Sequence, residues 1–237
     1  MSAMEGISII IPCRNESRRL AATERRLHRL IDYLEKESGL PVQAVIEEDG
    51  SDDGTLERIR DMSSHDRRIL TVDGGNLRGK GRGIRLAVSR SRYEYLVVCD
   101  ADLPVAFRDM ALIARELREY DVVLPSRRAA GSKCRGIPLA RRIASYAFNR
   151  YVNLVLGLGI SDTQNGVKGI RREAFPKIAP DRLGSYSMDV EMLLRARRLN
   201  LRIKEIPVDY MHERTSNFSV IRDGPRMLAD VIVLRLS

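Results

Sequence analysis

At 237 residues, with 43% apolar and 31% charged side chains, the chain has the balance of a soluble globular protein, which excludes a disordered or low-complexity one. The formal charge of +9, from 41 Lys and Arg against 32 Asp and Glu, favours an anionic partner, but with aromatics at 5% and no recognised nucleic-acid motif, nucleic acid ranks low. Cys13, Cys99 and Cys134 are odd in number and widely scattered, which argues against a disulfide framework and a zinc site and for a reducing compartment.

The opening residues 1–6 are short and polar and the apolar run 7–12 is strand-sized, so no export signal is read. No stretch reaches the ~20 apolar residues of a membrane span. The best, 151–160, is too short. A cytoplasmic protein is expected.

Apolar runs rich in β-branched residues predict buried strands over 7–11, 42–46, 69–72, 95–99 and 121–124. Between them, Leu20, Leu27, Leu30, Ile31 and Leu34 share one helical face, and Phe107, Met110, Ala114 and Leu117 another. Beyond residue 126 the pattern predicts a long helix over 138–156, a loop over 161–166, a strand over 167–170, a helix near 189–199 and a strand over 201–208. No Pro/Gly/Ser-rich linker interrupts the chain, so 1–237 reads as a single α/β domain. Alternating strands and helices predict a mostly parallel sheet with flanking helices and ligands beyond the carboxyl ends of the strands.

Four strand-associated segments carry chemistry. The first strand stops at Pro12 and delivers Arg14, Asn15 and Glu16 to a loop, either for a ligand or as the start of a helix with Asn15 as cap. The second runs into Glu47-Glu-Asp-Gly-Ser-Asp-Asp-Gly-Thr55. There Ser51 can cap the next helix and Asp52 and Asp53 can occupy its first turn, whereas Asp49 is suited to a nucleobase N–H or ribose hydroxyls. The third is Asn76-Leu-Arg-Gly-Lys-Gly-Arg-Gly83, in which glycines let backbone N–H groups approach a diphosphate and Lys80 adds a charge; the Gly-Lys-Ser/Thr ending of a P-loop is missing. The fourth ends a strand in Cys99-Asp-Ala-Asp-Leu103, whose alternation would point Asp100 and Asp102 to one side as hard oxygen ligands for Mg²⁺ or Mn²⁺.

In this order and spacing, Ile-Ile-Pro-x-x-Asn-Glu, Glu-Asp-Gly-Ser-Asp-Asp-Gly-Thr, Arg-Gly-Lys-Gly and Asp-Ala-Asp-Leu resemble the family 2 glycosyltransferases with a GT-A, Rossmann-like fold. Ser161-Asp-Thr-Gln-Asn-Gly-Val-Lys-Gly-Ile-Arg-Arg, Met188-Asp-Val-Glu-Met-Leu193 and Ile203-Lys-Glu-Ile-Pro-Val208 look like the dolichyl-phosphate mannose and dolichyl-phosphate glucose synthases. The resemblance covers nearly the whole chain. It implies a nucleotide-binding half over about 1–125 and an acceptor-side half over about 126–237. It further implies inverting transfer of mannose or glucose from GDP-mannose or UDP-glucose to a polyprenyl phosphate, with Mg²⁺ or Mn²⁺. Pro12, Arg14, Glu16 and Asp49 would line the nucleoside pocket, and Asp100, Ala101 and Asp102 the diphosphate, with Asp100 and Asp102 on the metal. Gln164 and Asp189 would border the sugar, while Arg127 and Arg214 would hold the acceptor phosphate.

Two departures qualify this. Glu48 stands where the family commonly has Asp, and Pro104 where many mannose synthases carry a Gln able to complete the metal shell. A phosphate acceptor needs no strong base, whereas a soluble hydroxyl acceptor would make Asp189 the base; a noncatalytic binding module is the third reading. Asp189 also reads as a plain helix N-terminal carboxylate beside Ser187. A lipid acceptor requires peripheral contact with a membrane, through 138–160 with Arg141, Arg142 and Arg150, or through 227–236. Either segment reads equally as a core helix with a solvated basic face.

Overall fold

The computed structural model describes residues 3–75, 79–179, 187–211 and 220–237. Its first half alternates β1 (Met4–Cys13), α1 (Ser17–Ser38), β2 (Val42–Glu48), α2 (Thr55–His65), β3 (Ile69–Asp73), α3 (Lys80–Arg90), β4 (Tyr93–Val98), α4 (Phe107–Glu116) and β5 (Val122–Ser126). There follow β6 (Lys133–Arg135), α5 (Leu139–Leu156), β7 (Lys168–Arg171), α6 (Phe175–Ile178), α7 (Met188–Arg198), β8 (Ile203–Pro207), β9 (Asp209–Met211) and α8 (Val220–Leu236).

Seven strands form one sheet in the order β3-β2-β1-β4-β7-β5-β8, and β6 and β9 form a small second one. Every pairing in the large sheet is parallel except those of β7, which runs antiparallel between β4 and β5. The expected α/β domain with a mostly parallel sheet is therefore present. The inversion of β7 was not legible, because an apolar run carries no sign of its direction.

Strand alternation divides the core. Ile7, Ile9 and Ile11 face the layer of α1, α2 and α4, while Ile10, Val45 and Val72 face α3, α5, α7 and α8. The α1 stripe of Leu20, Leu27, Leu30, Ile31 and Leu34 is buried as the 3.6-residue spacing requires, each such side chain stabilising by about 1.5–3 kcal/mol. Gly39, at φ 68°, ends the helix and returns its N–H to the Glu35 carbonyl. Gly169 on β7 has a packing reason, since a methyl group there would collide with Ile113 of α4.

Among the described residues no helix is long and apolar enough to cross a membrane. Of the two candidate membrane segments, α5 exposes Leu139, Ile143, Tyr146 and Leu154, and α8 exposes Leu228, Ile232, Val233 and Leu236. Neither is a helix whose apolar residues are all covered.

Candidate active site

The sheet order sets β2, β1 and β4 side by side, and chain direction changes sides between β1 and β4, the kind of crevice where open α/β sheets bind ligands. Cys13 pairs in register with Glu48, and the Cys13 carbonyl accepts the Asp49 N–H at 3.1 Å, carrying the two loops out together. The loops then lock reciprocally. The Asn15 N–H donates to Ser51 Oγ at 2.9 Å, and the Asp52 N–H to Asn15 Oδ1 at 3.2 Å. Asn15 and Ser51 thus clamp the loops, rather than capping the helices as the sequence suggested. The cap is Asp53, whose two carboxylate oxygens accept the Ser17 N–H at 3.1 Å and the Thr55 N–H at 3.1 Å. Slight burial pushes the Asp53 pKa up, but the hydrogen bonds from Thr55 and Ser17 outweigh it and hold the group below its ordinary value.

Pro12 is half-buried, Arg14 exposed, and Glu16 half-buried and paired with Arg19 at 2.7 Å. Burial raises the Glu16 pKa against the pull of Arg19. Asp49 is buried and its Oδ2 accepts the Gly79 N–H at 2.7 Å, so the proposed nucleoside carboxylate also anchors the glycine-rich turn. Lys80 Nζ lies 2.5 Å from Asp100 Oδ1. Enclosure works against the Lys80 charge, but Asp100 and Asp189 outweigh it and raise its pKa; the Asp100 pKa is correspondingly lowered, by Lys80 first.

The geometry of Asp100 and Asp102 differs from the expectation. Strand β4 ends at Val98, and the acids stand in a turn closed by the Leu103 N–H on the Asp100 carbonyl at 3.0 Å, with Leu103 at φ 47°. Strand alternation therefore does not orient them. Ala101 between them is buried in the core. Pro104 has a structural task, since its carbonyl accepts the Met211 N–H at 2.8 Å. Among the described residues no cluster of three or more His, Cys, Asp or Glu gathers as a metal cage. A cation bound by these two carboxylates would draw its other ligands from diphosphate oxygens and water, which suits Mg²⁺ or Mn²⁺.

The acceptor-side half folds back onto this turn. A methyl group at Gly166 would collide with the Asp100 carboxylate, so the 161–166 loop sits directly against it. Gln164 lies half-buried in that loop. Lys168, on β7 and 3% exposed, reaches Asp189 Oδ1 on α7 at 2.8 Å and donates to the Asn165 carbonyl at 2.5 Å. Arg127 gives its backbone N–H, Nε and Nη2 to Asp162, at 3.0, 2.7 and 2.8 Å, and stacks over Tyr210. Arg128 Nη1 joins the same carboxylate at 3.1 Å. Arg127 is thus engaged within the protein, and Arg214 lies outside the described residues. Sequence reading missed Asp162, Lys168 and the buried Glu47. A charged residue inside an apolar strand, Val167-Lys-Gly-Ile170, and adjacent arginines that demand a counter-charge were the available signals.

The sequence model of Glycosyl transferase family 2 matches residues 8–179. Glycosyltransferase AglD of Haloferax volcanii is 31% identical over 228 residues, covering 92% of this chain and 35% of its own length. An undecaprenyl-phosphate mannosyltransferase of Micrococcus luteus is 30% identical over 85% of this chain and 82% of its own. A dolichyl-phosphate beta-glucosyltransferase, ALG5A, of Trichomonas vaginalis is 28% identical, and this chain spans 65% of its length. Glucosyl-3-phosphoglycerate synthase of Mycobacterium tuberculosis, solved with Mn²⁺, UDP and glucosyl-3-phosphoglycerate, superposes with a TM-score of 0.69 at 17% identity, covering 98% of this chain and 79% of its own. The same fold solved with phosphoglyceric acid gives 0.70. These structures correct the expectation of a polyprenyl phosphate partner: a protein that shares this fold over 98% of the chain is a glucosyl-3-phosphoglycerate synthase, solved with phosphoglyceric acid. The chain belongs to glycosyl transferase family 2.

Proposed function

We propose that this family 2 enzyme transfers glucose, with inversion, from UDP-glucose to a hydroxyl group of a soluble, anionic acceptor, using Asp189 as base. The observation that carries this reading is the charged cluster in which Lys80 meets Asp100 and Lys168 meets Asp189, with Asp189 also raising the Lys80 pKa. A carboxylate from the acceptor-side half therefore acts on a lysine of the donor side. The donor and acceptor class are those in the names of the superposing synthase complexes, which hold UDP-glucose, phosphoglyceric acid and Mn²⁺, or Mg²⁺ with UDP.

In this reading Asp49 orients the nucleoside and Lys80 leaves Asp100 to meet the diphosphate. A hydroxyl must shed its proton as it attacks, which is why a positioned base is needed. The acceptor oxygen bonds to the anomeric carbon, the bond to the diphosphate oxygen breaks with its electron pair, and the proton passes to Asp189. Lys168, 2.8 Å away, aims Asp189. A divalent cation at Asp100 and Asp102 would supply positive charge for the departing diphosphate. Arg14, Glu16, Ala101 and Gln164 complete the proposed donor contacts. A cytoplasmic location is supported by Cys13, Cys99 and Cys134, all free thiols.

The test is a transfer assay with UDP-glucose and Mn²⁺, offering phosphoglyceric acid and, in parallel, polyprenyl phosphate. A soluble glucosylated product supports the reading; product on the lipid alone, or none on either, overturns it.

A further inference from the structure

We propose that Glu47 is a positioning residue for donor binding: its buried carboxyl, held between Gly74 and Gly83, seats the β3–α3 connection so that Gly79 and Lys80 meet Asp49 and Asp100. The inference rests on the donor site proposed above.

Glu47 stands on β2 opposite Pro12 and Val72 and is 0% exposed. Neither of its carboxyl oxygens has a hydrogen-bond partner among the described residues. The backbone closes on them from two sides, since a methyl group at Gly74, just after β3, would collide with Oε1 and one at Gly83, within α3, with Oε2. That closure fixes where α3 begins. From this seat the Gly79 N–H reaches Asp49 Oδ2 at 2.7 Å and Lys80 reaches Asp100 at 2.5 Å.

A carboxyl in such a place is stable only as the neutral acid, because an ionised one would be buried without a donor. The charges that act on it are Asp49, just past β2, and Glu48 at the end of β2; Cys13 ends β1, Asp73 ends β3, and Lys80 and Arg82 lie on α3, whose Gly83 closes on the carboxyl. Burial first, then Asp49, then Glu48, push its pKa up to about 8. The folded-state value is raised, so the stabilising contribution is complete below the ordinary carboxyl range and is lost as pH rises through about 8. Above that pH the unpartnered charge drives the glycines off their seat, and both donor-side contacts loosen together.

Glu47→Gln keeps the size and removes the proton. Affinity for UDP with Mn²⁺, measured by calorimetry from pH 6.5 to 9.5, should fall in the wild type above pH 8 by up to about tenfold per unit, the slope of one coupled proton. The Glu47→Gln protein should lack that fall, so the ratio of the two constants cancels the ligand's own titration. Hydrogen exchange of amides 79–88 without nucleotide, compared between the two proteins at equal pH, should show protection lost only in the wild type above pH 8. If both proteins keep the same pH profile in both measurements, the proposal is overturned. Failure of UDP to bind at any pH would sink the donor reading instead and with it the binding role of Glu47; the exchange experiment would still report whether Glu47 seats the connection. If Glu47→Gln does not fold, the wild-type exchange profile, corrected for intrinsic rates, decides, and a flat profile counts against the proposal.

Discussion

Lys80 at the start of α3 and Asp100 after β4 are joined by an ion pair of 2.5 Å, so the glycine-rich turn and the acidic turn are tied as one piece. Asp100 takes the ammonium on Oδ1, while its Oδ2 lies beneath the approach of Gly166, and the same carboxylate is a candidate for the cation. One carboxylate therefore couples three segments far apart in sequence.

Replacing Lys80 by Met should leave the fold intact, because Asp100 is partly open to water, which can solvate it. UDP affinity should fall by about 10- to 100-fold, the scale of one charge-assisted phosphate contact. Mn²⁺ affinity without nucleotide should rise, since a competing cation has been removed. Calorimetry of each ligand separately checks both directions, and unchanged Mn²⁺ affinity would show that lysine and metal do not share Asp100.

Chelation with EDTA should abolish transfer in the wild type, and added Mn²⁺ should restore it. In Asp102→Asn the same addition should recover little activity at low Mn²⁺, because one of two protein carboxylates is gone and no third stands by among the described residues. A Mn²⁺ titration of turnover in both proteins measures the shift in half-saturation. Equal half-saturation would remove Asp102 from the metal site.

The donor side of this site was legible because its segments are contiguous. Each is a short apolar run delivering polar residues at its end, and the parallel sheet aligns those ends without help from distant sequence. Asn15 and Ser51 were read as helix caps, but the fold pairs each with the neighbouring loop instead, whereas Asp53, expected in the first turn of α2, caps it from just before Thr55 and also takes the Ser17 N–H of α1. The acceptor side was less legible. Lys168 gains meaning only when β7 inverts and faces Asp189 on α7, and Asp162 only when β5 brings two arginines against it. Such pairings have sequence separations that no periodicity reports.

Asp189→Asn should lower kcat by about 10²- to 10⁴-fold, the usual share of a general base, with UDP-glucose affinity close to wild type. Lys168→Met should act differently. It removes the cation that aims Asp189, so kcat should fall by less than in Asp189→Asn, with UDP-glucose affinity again close to wild type. Stopped assays on the three proteins separate these roles, and full turnover in Asp189→Asn would exclude it as base.

Asp162 offers a prediction about stability. Its carboxylate is 1% exposed and takes three hydrogen bonds from Arg127 and one from Arg128, which makes it the hub of a buried ion cluster between β5 and the 161–166 loop. Burial alone would raise its pKa, but the hydrogen bonds and charge of Arg127, then Arg128, outweigh it and the pKa is lowered. With the folded-state value depressed, the stabilisation is present above the ordinary Asp range and is lost as pH falls through the folded value. Asp162→Asn strands two guanidinium groups in a low-dielectric setting, and should cost about 3–5 kcal/mol at pH 7, the usual penalty for breaking a buried pair. At about 2–4 °C per kcal/mol for a domain of this size, the Tm should drop by roughly 6–20 °C. The gap between variant and wild type should narrow on acidification, since protonation does to the wild type what the substitution does to the variant. Urea unfolding from pH 3 to pH 7 measures this directly. A gap that stays constant over that range would mean that Asp162 keeps its charge throughout or contributes by shape alone.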